Sequence, residues 1–152
     1  MKVSDQKNSS ASDAAAFVRQ ICSAGTRGRD DVQRLLPGKK LEDDPNGTDV
    51  KRIALGRPDF SQLQFIGYTA RKDDMTLVLS AATPTAVRMD LFTQEFGQPK
   101  KIPANPGPPF RVRHAFPPIG GPDSGFLCLI TATEADAAHI AEISINMGKL
   151  PS

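Results

Sequence analysis

Apolar residues recur at helical spacing near the start of the chain: Ala14, Phe17, Val18, Ile21 and Cys22 share one face of a helix predicted over 12–24. Ser12 reads as its N-cap, Asp13 favours the helix dipole from the first turn, and Gly25 is the stop. A short second helix is expected over 29–36, with Asp30 and Asp31 at its start, Val32, Leu35 and Leu36 as its apolar edge, and Pro37-Gly38 as its end. Residues 38–50 are polar and read as a loop around the Pro45-Asn46-Gly47 turn signal.

Strand patterning follows. Residues 51–55 alternate weakly, and 63–71 alternate well, with Leu63, Phe65, Gly67 and Thr69 on one face. Residues 75–81 return as a third strand, whose Leu77-Val78-Leu79 run suggests burial on both faces. Thr83-Pro84 reads as an N-cap followed by a first-position proline, opening a helix with Val87, Leu91, Phe92 and Phe96 as its stripe and Gly97 as its stop. After a proline-rich connector (98–109), residues 110–116 alternate cleanly, 126–133 form the most apolar strand, and 140–147 form the last. The expected fold class is therefore α+β in the order ααβββαβββ. Its last three strands form an antiparallel meander, and helices cover one face. A segment running from Val32 to Leu41 resembles one from Phe92 to Ile102, each a helix end followed by glycine, two lysines and an aliphatic residue. Two related halves are one reading of that echo, and chance is the other.

Composition narrows the class. A chain of 152 residues with 39% hydrophobic and 24% charged content fits one domain, taken as 12–150 after a disordered tail at 1–11. Glycine (12) and proline (13) are frequent enough to imply many turns, yet fall short of the roughly 25–30% of a disordered chain. A net charge of +2, with lysine and arginine pairs that no aromatic residue interleaves, argues against a nucleic-acid partner. No apolar run approaches the ~18 residues of a membrane span, and the start is polar without a secretory h-region. Two localisations stay open: periplasmic, if a leader was removed, or cytoplasmic. Cys22 and Cys128 belong to no CxxC motif; they read either as buried thiols or as one disulfide formed in an oxidising compartment.

No catalytic motif is assembled: the chain has no GxSxG, Walker loop, HExxH or dinucleotide-binding glycine pattern. Gly120-Gly121-Pro122-Asp123-Ser124-Gly125 lies between strands rather than before a helix, so it reads as a hairpin loop. His114 and His139 are the only histidines. His114 falls on the apolar face of its strand, as a core histidine would. A metal grouping of His114, His139 and Asp136 has no recognised spacing, and Asp43, Asp44, Asn46 and Asp49 lack the order of a calcium loop. The expectation is a non-enzyme with no cofactor and no metal. A Cys–His hydrolase using Cys22 or Cys128 stands as an alternative.

The remaining candidate is a surface. Proline-rich segments flank the 110–116 strand, and proline stiffens loops and lowers the entropy cost of binding. Phe110, Arg111, Arg113, Pro117, Pro118 and Ile119 are the candidate partner-binding residues. Asp31-Val32-Gln33-Arg34-Leu35-Leu36-Pro37-Gly38 and the later sheet resemble the fold of beta-lactamase inhibitor protein and small outer-membrane lipoproteins of the SmpA type. That resemblance implies a periplasmic protein-binding role. Small single-domain immunity proteins against secreted toxins are a related class. The expected function is a non-catalytic protein-binding module of inhibitor or immunity type, acting through the sheet face and proline-rich loops. Its partner would be another protein, a secreted toxin or an envelope enzyme, and the oligomeric state is open. A small-molecule or lipid carrier with an apolar pocket is the alternative.

Overall fold

A computed structural model of the chain describes residues 3–25, 28–36, 40–43, 49–67, 74–102, 112–121 and 125–149. Helices α1 (Val3–Gly25) and α2 (Arg29–Arg34) precede strands β1 (Leu41–Asp43), β2 (Val50–Ala54), β3 (Phe60–Ile66) and β4 (Asp74–Ala81). Helix α3 (Met89–Phe96) then leads into β5 (Lys100–Ile102), β6 (Arg113–Ala115), β7 (Ile119–Gly121), β8 (Phe126–Asp136) and β9 (His139–Lys149).

The α+β expectation and its order ααβββαβββ are overturned. Among the described residues nine strands form a single antiparallel sheet, and the fold is β-rich. The strands missing from the sequence reading are β1, β5 and β7, each three residues long. Leu-Glu-Asp, Lys-Lys-Ile and Ile-Gly-Gly are too short and too poor in alternation to be seen locally. Only a neighbouring ladder makes them strands, as in the Leu41↔Ile53, Ile102↔Arg113 and Ile119↔Cys128 pairs.

The sheet order is β1-β2-β3-β4-β9-β8-β6-β5, with β7 also on β8. Two meanders therefore run inward from opposite edges and meet where β4 pairs with β9. The expected adjacency of the last three strands read from the sequence is present, since β6 pairs with β8 and β8 with β9. Period-two alternation sends complete cross-strand rows to the helix side. One row is Ile53, Leu63, Leu79, Ile143 and Ala132; the next is Phe65, Leu77, Ile145 and Ile130. All nine side chains are at most 2% exposed. Phe17, Val18 and Ile21 of α1, Val32 beside them in α2, and Phe92 of α3 join this same core.

Two helix starts differ from expectation. Helix α1 begins at Val3, across the segment read as a tail, so Ser12 lies inside the helix rather than at its cap. No glycine or proline interrupts 3–24, so a helix anchored by the buried stripe propagates backwards. Helix α3 begins at Met89 rather than Thr83, with Arg88 extended at its N-cap (φ −92°, ψ 134°). The backbone around Arg88 is bonded elsewhere: Ile140 N–H donates to the Val87 carbonyl and Met89 N–H to the Ala138 carbonyl, both at 2.9 Å. These tertiary bonds prevail over the local cap signal, and Thr83 instead closes a turn with Ala86 N–H at 3.2 Å. The stop is as expected: Gly97 caps α3 at φ +102°, a backbone conformation suited to glycine.

Of the two cysteine readings, the structure has the bond. Cys22 in the last turn of α1 is joined to Cys128 in β8, with 6.0 Å between their Cα atoms.

Candidate interaction face

The positions between the buried rows project to the other side of the sheet. Arg52, Gln64, Val78, Ser144, Thr131 and Ala115 form one cross-strand row there. Gln62, Ser80, Glu142, Thr133 and Arg113 form a second, and Ile66, Thr76, Asn146 and Leu129 a third. Every one of these side chains is half-buried or exposed. Val78 is among them, so the Leu77-Val78-Leu79 run is not buried on both faces as its composition suggested.

This face has a distinctive chemistry. Where side chains are described on the four central strands, its positions carry hydroxyl, amide and aliphatic groups, and Glu142 is the single charge among them. Thr76 Oγ1 donates to Asn146 Oδ1 at 2.9 Å, linking β4 to β9 on the outside. Leu129, 38% exposed, is the large hydrophobic side chain most open to solvent among the described residues. Arg52 and Arg113 stand on the flanking strands β2 and β6.

The six residues nominated from the sequence fall in different places. Phe110 and Arg111 lie outside the described residues. Arg113 is exposed on the open face, opposite Thr133. Pro117 and Pro118 are exposed between β6 and β7. Phe116 N–H just before them still donates to the Ile130 carbonyl at 3.0 Å, but the prolines donate nothing. They separate β6 from β7, both of which pair with β8. Ile119, just after them, turns to the helix side, half-buried against the core and opposite Cys128. There it lines a cleft of about 370 Å³ with Arg19, Cys22, Ser23, Gly120, Phe126 and Cys128. The carrier alternative would use this cleft.

The histidines hold two different carboxylates. His114 Nε2 is 2.7 Å from Glu134 Oε2, both side chains being largely shielded. His139 Nδ1 lies 2.9 and 3.0 Å from the two oxygens of Asp136. The grouping of both histidines with Asp136 is therefore not assembled, and no metal-ligating cluster occurs among the described residues. Asp136 also accepts the Ala138 N–H at 2.8 Å. That bond first, and the His139 contact second, hold its carboxyl below the ordinary carboxylate range. His139 borders a second cleft, of about 600 Å³, with Arg88, Met89, Asp90 and Thr93. Arg88 is itself paired with Asp90 at 2.6 Å. For the Cys–His alternative the decisive fact is the disulfide: both sulfurs are committed to it, and neither is a thiolate.

No known protein family, curated protein or solved structure matches this chain. The open face and the two clefts are thus read from their own chemistry. Sequence reading expected a sheet face and proline-rich loops to bind, but nominated residues only in and beside the 110–116 strand and none on the central strands. Their signal was there, in the alternate positions Thr76-Val78-Ser80 and Leu129-Thr131-Thr133, where hydroxyl groups stand where lysine and glutamate would ordinarily solvate a sheet.

Proposed function

We propose that the chain is a non-catalytic protein-binding module that presents the open face of its sheet to a folded protein partner. The observation that carries this reading is the scarcity of charge on the four central strands of an exposed face, with Arg52 and Arg113 at its flanks. Ordinary surfaces are about 25–35% charged, whereas interface centres are depleted of charge. Eight strands in sequence at about 4.8 Å spacing make the face about 34 Å wide. With central strands about 20 Å long, the area approaches the roughly 800 Å² per partner of a standard interface. A sheet prearranged by its ladders loses little freedom on binding. Its disulfide suits an oxidising compartment, where inhibitor and immunity proteins meet secreted or envelope enzymes. An inhibitor or immunity role is the specific form of binding we favour.

The test introduces charge at the centre of the face. Thr131→Arg and Val78→Arg are compared with Gln94→Arg on the exposed side of α3, each checked for folding. The bait is cross-linked in envelope and secreted fractions of the native host. A protein held by the wild type and by Gln94→Arg, but weakened roughly 100-fold or more by the face variants, is the expected result. A partner held equally by all of them, or none at all, overturns the reading.

A further inference from the structure

We infer that the Cys22–Cys128 bond is a redox-operated strap: a thiol reductant reaches it through the adjoining cleft and loosens α1 over the sheet while the sheet stays assembled. The bond joins the last turn of α1 to β8, and both of its residues line the cleft of about 370 Å³. The side chains are 3% and 1% exposed overall, so that cleft is their approach route. At about 30 Å³ per water, the space equals roughly a dozen waters, enough for a small thiol. One wall is weakly built. Strand β7 is three residues long, is paired to β8, and follows two prolines that add no ladder bond.

The exchange balances as follows. A reductant thiolate attacks the sulfur of Cys128, a mixed disulfide forms, and the bond to Cys22 breaks. The Cys22 sulfur leaves as a thiolate and takes a proton from water. A second reductant thiolate then attacks the reductant's sulfur in the mixed disulfide and releases Cys128. Two reductant thiols become one disulfide, and the protein gains two thiols.

What remains on α1 after reduction is non-covalent. Phe17 packs on Phe60 with 6.2 Å between ring centroids, and Arg57 lies 4.1 Å over the Phe17 ring. Arg19 pairs with Glu95 at 2.7 Å and lies 5.0 Å over Phe96. The β3–β4–β9–β8 registers, by contrast, are ladder-bonded without any part from α1. This inference does not depend on what the open face binds.

The experiment mixes the oxidised full chain with increasing glutathione or dithiothreitol in native buffer, counting thiols with time and following hydrogen exchange. We expect a reduction rate proportional to thiol and insensitive to sub-denaturing urea. After reduction, protection of amides 14–24 should fall by a factor about tenfold or more greater than that of β4, β8 and β9, which lose only what the lower global stability removes. A Cys22→Ser/Cys128→Ser variant should show the same α1 exchange without reductant. A rate that saturates with thiol or climbs with urea as global unfolding does would overturn the strap. So would α1 protection unchanged by reduction, or a reduced chain or double variant in which α1 and the sheet lose protection by the same factor.

Discussion

Leu77, Val78 and Leu79 are consecutive in β4, and they belong to different worlds. Leu77 and Leu79 are fully buried beneath the helices, whereas Val78 between them is half-exposed on the open face. The same contrast holds across the sheet: Ile143 and Ile145 alternate with Glu142, Ser144 and Asn146, and Cys128 and Ile130 with Leu129 and Thr131. One face is uniform in what it excludes, which is water. The other carries little charge on its central strands, where Glu142 stands among hydroxyl, amide and aliphatic groups. Folding accounts for the first, because rows of aliphatic side chains must be covered. Folding alone does not ask for the second, since charged residues on a solvated sheet face would serve equally well, and this is why the open face carries the functional reading.

The largest effect expected on that contrast is removal of the bond that ties α1 to the covered face. Closing a loop of 106 positions restricts the unfolded chain enough that Cys22→Ser/Cys128→Ser should lower stability by about 4–5 kcal/mol in the chain-entropy description. Urea unfolding of the oxidised chain and the double variant measures it. Such a loss falls within the ordinary 5–15 kcal/mol of a domain, consistent with a sheet that persists after reduction. Next comes the direct comparison within β4. Leu79→Ala should cost about 2–5 kcal/mol through lost burial and a cavity, and Val78→Thr, one position away, about 0.5 kcal/mol or less. Equal costs in paired unfolding curves would mean that the open face is covered by something and is not a surface.

Much of this division was legible in the residues. The stripes of α1, the stop at Gly97, the strong alternation of Leu63 and Phe65, and the apolar run at 126–133 are local patterns, and local patterns survive into the fold. Three kinds of information were not local. Short edge strands such as Lys100–Ile102 exist because a neighbour offers a ladder. The start of α3 is set by bonds from Val87 and Met89 to residues some 50 positions later, which no N-cap pattern contains. The pairing of Cys22 with Cys128 depends on α1 lying over β8, where sequence spacing left both cysteine readings open. The candidate site divided in the same way. Arg113 reached the open face, but Ile119, six positions on, went to the covered side because two prolines end one ladder and let the next begin.

The smallest effect tests the hairpin end where the two faces meet. Asp136 closes the β8–β9 turn, and its carboxyl is held below the ordinary value of 3.8 by the Ala138 N–H first and His139 second. A carboxyl depressed in the folded state binds fewer protons there than in the unfolded chain. Its contribution is therefore fully present above about pH 4 and is lost as the pH falls through the folded value. Asp136→Asn should be slightly less stable than the wild type at neutral pH, and the difference should close as the pH is lowered from about 5 to about 2. Thermal unfolding midpoints of both proteins across that window give the answer. A difference that stays constant would show that the turn depends on the shape of the side chain and its hydrogen bond to Ala138 rather than on charge. The asymmetry between the two faces would then end at a neutral turn.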